Sequence, residues 1–343
     1  MTSALRILEP GLAATLQDCG RTGYQRFGVP VSGALDAVSL AVANILAGNP
    51  ACTAAIEILG AGLALEVEAA SAALALAGTA APLTVDGGKA VIRVPPFRSV
   101  TVERGSIVRI APPKSGAASY LAVEGGFDIM PALGSLSTYR RAALGGYLGR
   151  ELRAGDRLRL RQASSAREPL VLDVDIRPHE VLRAMRGPNE AYFCPSAFET
   201  LFAASYTVTP ASDRMGLRLQ GPPLERAIEG ELPSQGTTPG GMQVPSGGQP
   251  ILLLADRQTT GGYPRIATVI SADIAAAGRL VSGMSVRFKE VCREEAVLLL
   301  KAQREWLASL PAALKHAPAG GLSTEQLLSS NLIGGVTAGA PEE

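Results

Sequence analysis

The chain has 343 residues, 47% of them hydrophobic, and a formal net charge of +1. That length accommodates two domains of ordinary size. The near-zero charge and the 4% aromatic content argue against nucleic acid, which needs a basic or base-stacking surface, and against an anionic membrane.

Glu9, Pro10 and Asp18 interrupt any apolar core that a signal peptide would need. The alanine-rich stretch 69–81 is too short to span a bilayer. A soluble cytoplasmic protein is therefore expected. Gln17, Asp18, Arg21, Gln25 and Ser32 lie in a segment broken by Gly20, Gly23, Gly28, Pro30 and Gly33, which forces a tight loop. Arg21 suits a bidentate grip on an anion; a local Asp18–Arg21 ion pair is the alternative. A helix is expected over 36–47. Val38, Ala41, Val42, Ile45 and Leu46 recur at helical spacing, Asp36 is the N-cap, and Gly48-Asn49-Pro50 is the stop.

Strand-like runs occupy 73–77, 91–94, 100–102, 107–110, 120–123, 158–160 and 170–174. Among them, Ser137, Thr138, Arg140, Arg141, Gly145 and Gly146 interleave hydroxyls, charge and glycine, a pattern that offers an anion-binding surface. Glycine-rich hairpins are the alternative, and neither a P-loop nor a GxGxxG pattern occurs. The aperiodic polar stretch 162–169 places a boundary there, dividing the chain into 1–163, 164–293 and a C-terminal segment 294–343.

Asp213 and Arg214 either orient a substrate or pair with each other. Segment 236–248 is a lid or a plain hairpin loop. An apolar run at 251–255 stops at Asp256, Arg257, Gln258, Thr259 and Thr260, then Gly261, Gly262 and Tyr263, before a second apolar run at 266–270. This reads as strand, polar loop, strand; a hairpin loop satisfying its own backbone is the alternative. Alanine at Asp256 or Arg257 is expected to abolish activity with little loss of stability, because both should sit on a loop. A second helix is expected over 294–310, with Leu299, Leu300, Trp306, Leu307 and Leu310 as its stripe and Pro311 as its end. The segment 322–336 has enough apolar residues to dock on a surface, and the last seven residues are expected to be disordered.

Many short strands and few helices predict barrels or sandwiches, in two halves that look like a diverged duplication. The cysteines at 19, 52, 194 and 292 show no paired spacing and read as buried free thiols. The histidines, His179 and His316, support neither a His-rich metal site nor a Ser-His-Asp triad.

The segments TLQDCGRTGYQRFGVPVSGALD, SDRMGLRLQGPPL and LLLADRQTTGGYPRIATVISAD, colinear over roughly 5–300, resemble signatures of the biotin-dependent carboxyltransferase, or allophanate hydrolase subunit 2, family. The sequence departs from that pattern at Leu136, Leu148 and Leu152. The resemblance implies a mainly β fold: two cyclophilin-like β-barrel units with a few helices, including a C-terminal one. It implies ATP-dependent hydrolysis of the lactam 5-oxoproline to glutamate, as in the bacterial C subunits of that enzyme. ATP with Mg²⁺ would be shared with a B subunit of the allophanate hydrolase subunit 1 (KipI-like) type and an A subunit of the LamB/YcsF type.

By the same resemblance, Asp18, Asp213 and Asp256 would move protons. Arg21, Gln25, Ser32, Arg214, Arg257, Gln258, Thr259, Thr260 and Tyr263 would bind substrate. Ser137, Thr138, Arg140, Gly145 and Gly146 would bind nucleotide, and no protein-held metal is expected. Two other roles fit the family. One is a carboxyltransferase-type subunit acting on urea, allophanate or another amide with biotin supplied in trans. The other is a regulatory protein that antagonises a kinase inhibitor.

Overall fold

In the N-terminal half, short runs of aliphatic and alanine residues form strands with one face shielded from water. The computed structural model describes residues 3–317 apart from 61, 80, 89, 113–115, 177–178 and 231. Hydrogen bonds sort the first half into a six-stranded and a seven-stranded sheet. In one, Ala4–Glu9 lies between Leu63–Val67 and Arg157–Arg159. In the other, Ala55–Leu59 lies between Ala13–Gln17 and Ala118–Val123. Leu5, Ile7, Leu65 and Val108 of the first sheet meet Leu16, Ile58, Leu74 and Leu121 of the second in one core.

Helix α1 (Ala37–Ala47) covers the outer face of the second sheet. The Asp36 side chain accepts hydrogen bonds from the backbone N–H groups of Val38 and Ser39, and Gly48 ends the helix in a left-handed conformation. Leu40, Val42 and Leu46 pack on Ala75, Ala77 and Tyr120. Nearly every residue of α1 is buried, because it also meets helices of the second half.

The second half closes into a seven-stranded barrel between Val181–Arg186 and Ser285–Glu290, which pair in parallel. Leu182, Leu219, Leu252, Ile266 and Phe288 fill it. Helix α2 (Pro195–Ala203) packs beside it, burying Ala197, Phe198 and Leu201. Its short three-residue stripe explains why it was not expected. The single turn α3 (Ile274–Ala277) follows the barrel, and α4 (Arg293–Ser309) runs within a residue of the expected bounds. The fold is mainly β, as expected. Among the described residues, hydrogen bonds close a barrel in the second unit, and the first is two facing sheets.

Two local expectations change. Strands Ile251–Leu253 and Arg265–Val269 do not form a hairpin with each other. Each pairs with Gly241–Gln243, which lies between them, so the polar loop crosses the barrel end. Cys19 and Cys52 form a disulfide across a separation of 33 residues, Cys194 is half-buried and Cys292 is exposed. The buried-thiol reading fails because α1 folds its following turn back onto the loop at 18–34, a contact that sequence spacing does not encode. Lys315–His316 adds a short strand to Leu170–Val171; the docking and disorder expected at 322–343 lie outside the described residues. No helix among the described residues is long and apolar enough to cross a membrane.

Two buried ion pairs tie the units together. Arg279 of the second unit donates to Asp36 at 2.7 Å, and Arg214 donates to Glu57. Both partners in each pair are at most 10% exposed.

Candidate functional site

The strand Ala13–Gln17 delivers Asp18 to the junction of the units. Asp18 Oδ1 accepts hydrogen bonds from the Gly20 N–H and the hydroxyls of Ser135 and Ser137. Its Oδ2 accepts from the Leu136 N–H at 2.6 Å. Asp18 is thus a clamp that fixes loop 133–138 to the strand end. It makes no local ion pair with Arg21, which instead donates Nη2 to the Ser137 carbonyl.

Arg21 is 1% exposed, and its Nε and Nη1 have no hydrogen-bond partner. Burial lowers its pKa, and the charges of Asp18 and Asp256 oppose that shift. The loop that covers it requires glycine. At Gly145, with φ +71°, a Cβ would lie 2.5 Å from Arg21 Nη2 and 2.2 Å from the Ser137 oxygen. At Gly146 a Cβ would lie 1.8 Å from Thr138 Oγ1.

Ser137 and Thr138 are fully buried. The Ser137 hydroxyl serves Asp18, and Thr138 Oγ1 donates to the Leu16 carbonyl at 3.1 Å. They shape the wall and offer no free hydroxyl to a nucleotide. Gln25 begins a half-exposed 3-10 turn, Gln25–Phe27. Ser32 is 6% exposed, and its hydroxyl has no partner.

From the second unit, Arg214 presents Nε and Nη2 to Asp256 at 2.8 and 3.2 Å. It presents Nη1 to Glu57, and Nη2 also donates to the Gly33 carbonyl at 2.6 Å. Burial by itself would lower the Arg214 pKa, but the Glu57 and Asp256 carboxylates raise it above its ordinary value. Glu57 also accepts from Tyr120 Oη at 2.7 Å and from the Leu35 N–H at 2.9 Å. Burial, then the Glu57 and Asp36 charges, push the Tyr120 phenol well above its usual range.

Asp213 and Arg214 do not pair. Asp213 is about half exposed, with its carboxylate 3.7 Å from Arg141 of the first unit. Asp213 is therefore the most open of the three candidate acids.

Arg257 differs from Arg214 in every respect but burial. It is 3% exposed, its Nε has no partner, and Nη1 reaches only the Leu254 carbonyl at 3.5 Å. Burial pushes its pKa down to about 10. Gln258 Nε2 donates to Gln243 Oε1 at 3.0 Å, leaving Gln243 Nε2 without a partner. Thr259 and Gln258 hold the neighbouring loop through their carbonyls, which accept from the Thr237 N–H and hydroxyl. Thr260–Gly261 pairs with Gln235–Gly236, and Tyr263 is 38% exposed.

Two adjoining cavities open here. One, of about 240 Å³, is lined by Arg140, Arg141, Asp213, Arg214, Met215 and Asp256. The other, of about 270 Å³, includes Arg141, Asp213, Met215, Gln243, Gln258 and Tyr263. Larger cavities, of about 520 and 690 Å³, lie beside α4 and contain none of the candidate residues. The cleft therefore gathers Arg140, Arg214, Asp213, Asp256, Gln258 and Tyr263. Arg21 is close enough to act on Asp256 by its charge. Arg140 is itself paired with Glu151.

Glu57 and Gln243 were not expected, whereas Arg141 belongs to the glycine- and hydroxyl-rich run expected to offer an anion-binding surface. Glu57 had a signal, a lone carboxylate between Ile56 and Ile58 in an apolar run; Gln243 had none. Among the described residues no group of three or more His, Cys, Asp or Glu could hold a metal ion.

Comparison with known proteins identifies the family. Residues 27–290 match the family model for the carboxyltransferase domain, subdomain A and B. The chain is 36% identical over 309 residues to the 5-oxoprolinase C subunit of Escherichia coli, covering 89% of this chain and 97% of that one. It is 36% identical over 302 residues to the 5-oxoprolinase C subunit of Haemophilus influenzae, covering 88% and 96% of the two chains. The crystal structure of the K. lactis urea amidolyase superposes with a TM-score of 0.83 at 26% identity, over 95% of this chain and 21% of that longer one. By the extent of these matches, the chain belongs to the carboxyltransferase domain family, subdomains A and B.

Proposed function

We propose that this chain is the C subunit of a 5-oxoprolinase, which hydrolyses the lactam C–N bond of 5-oxoproline to give glutamate at the expense of ATP. The observation that carries the reading is the 36% identity, nearly end to end, with two proteins named as the C subunit of 5-oxoprolinase. The geometry supports it. A lactam carrying a carboxylate and developing oxyanion charge needs cations that are not already neutralised, together with amide donors and a proton acceptor. Arg141 lines one cavity with Asp256 and the adjoining one with Gln243, Gln258 and Tyr263. Arg21 and Arg257 lie behind it, buried and without carboxylate contacts.

In this reading Asp256 takes the proton of the attacking water, and Arg214 fixes that carboxylate rather than binding substrate. Gln258, held by Gln243, and Tyr263 orient the lactam. Asp18, Ser137 and Thr138 support the wall. ATP with Mg²⁺ is shared with partner subunits of the B and A types, in the cytoplasm. This chain's contribution to phosphate binding rests on Arg140 and backbone N–H groups of the glycine loop, since the Ser137 and Thr138 hydroxyls are used.

A second reading, carboxyl transfer to urea or another amide with biotin supplied in trans, draws on the 31% identity over 331 residues to the urea amidolyase of Saccharomyces cerevisiae. Coupled turnover separates the two. The complex of this chain with its B and A subunits should consume ATP and release glutamate only when 5-oxoproline is present. ATP loss stimulated by urea instead would favour the second reading and overturn the first.

A further inference from the structure

We infer that Arg141 is the anchor for the substrate's carboxylate, and that Asp213 is its stand-in until substrate arrives. The inference rests on the reading that 5-oxoproline binds in this cleft.

Arg141 is brought to the cleft by the turn Arg140–Ala142, itself fixed by the Thr138 N–H on the Leu16 carbonyl and by reciprocal bonds between Tyr139 and Leu144. It lines both cavities, as do Asp213 and Met215. Its Nη2 lies 3.7 Å from Asp213 Oδ2, with the two side chains 62% and 54% exposed. An exposed contact of that length is weak, so a carboxylate that grips the guanidinium in two places displaces it readily.

The other cleft arginines are less available. Arg140 is ion-paired with Glu151. Arg214 is held on three sides by Asp256, Glu57 and the Gly33 carbonyl. Arg218 lines only the second cavity. Asp213 also has a second attachment that keeps it in place when it lets go of Arg141: its Oδ1 accepts from the Met215 N–H at 2.8 Å. Arg141, Asp213 and Met215 are common to both cavities, so a carboxylate held by Arg141 borders the cavity that contains Asp256 and the one that contains Gln258.

The test uses the complex with its B and A subunits. Arg141→Ala should raise KM for 5-oxoproline about 30-fold, the loss of a charged hydrogen-bonded contact, with kcat within a few-fold. Asp213→Asn removes the competitor and should lower KM about threefold. Binding is read separately by thermal shift. 5-Oxoproline should raise the Tm of the wild-type complex, uncharged 2-pyrrolidinone at equal concentration should raise it far less, and Arg141→Ala should erase that difference. Both residues are exposed, and circular dichroism checks the fold. The inference is overturned if KM is unmoved in Arg141→Ala, if Asp213→Asn raises KM as Arg141→Ala does, or if Arg218→Ala carries the loss instead. A wild-type complex that binds 5-oxoproline through Arg141 but releases no glutamate would overturn the functional reading and leave the anchor standing.

Discussion

Arg214 pairs with Asp256 and Arg257 follows it in the chain, and the two are almost equally buried, at 7% and 3% exposed. Arg214 has two carboxylates and a carbonyl around it; Arg257 has one distant carbonyl. A buried guanidinium that is fully paired holds structure together, and removing a partner is costly. A buried guanidinium without a carboxylate is disfavoured in the free protein and is stabilised only by something that brings negative charge. The same side chain thus serves as a paired bridge between the units at Arg214 and as a buried cation without a carboxylate contact at Arg257.

The largest expected effect breaks the paired side. Asp256→Ala should cost about 3–5 kcal/mol of stability as well as activity, since it strands part of the Arg214 charge; urea unfolding reads the loss. This corrects the expectation of a harmless loop substitution: Asp256 is 6% exposed and ion-paired. Next, reducing the Cys19–Cys52 disulfide, which closes a separation of 33 residues, should cost about 2–4 kcal/mol. Thermal unfolding with and without a dithiol checks it, and Cys52→Ser should abolish the difference.

On the unpaired side the sign reverses. Arg257→Met should stabilise the chain by about 1–3 kcal/mol while turnover is lost, because it removes a buried charge that lacks a carboxylate. The pH dependence follows the same logic. The Arg257 pKa in the folded chain is depressed by burial to about 10, well below the ordinary arginine value that the unfolded chain keeps. The unfolded state thus binds more protons between those values, and this group makes stability rise with pH across that window. Comparing wild type with Arg257→Met above pH 10 isolates the contribution. The smallest effect belongs to the rim. Arg140→Ala breaks an exposed pair with Glu151 and should change stability by under about 1 kcal/mol.

Much of the fold could be read from the chain. The Asp36 cap, the Gly48 stop and the stripe at 294–310 located α1 and α4 closely, because capping and helical spacing are local properties. The strand runs were right in kind and short at their ends. Pairing was not legible: Gly241–Gln243 inserts between two strands that look like a hairpin, and the disulfide joins residues that only folding makes neighbours. At the site, the motifs named Asp18, Arg21, Arg214 and Asp256, which do converge. Their partners, Glu57 and the Ser135–Ser137 loop, come from distant segments whose chemistry looks ordinary in sequence. That is why Asp18 and Arg214 look like free reagents in the chain and prove to be clamps in the structure.

A structure of the complex with its B and A subunits, soaked with 5-oxoproline, would test the assignment of the cleft most directly. Ligand density is expected between Arg141, Met215 and Gln258, with the carboxylate on Arg141 and the ring amide toward Asp256. Density seated instead in the cavity beside α4, with this cleft unchanged, would contradict it.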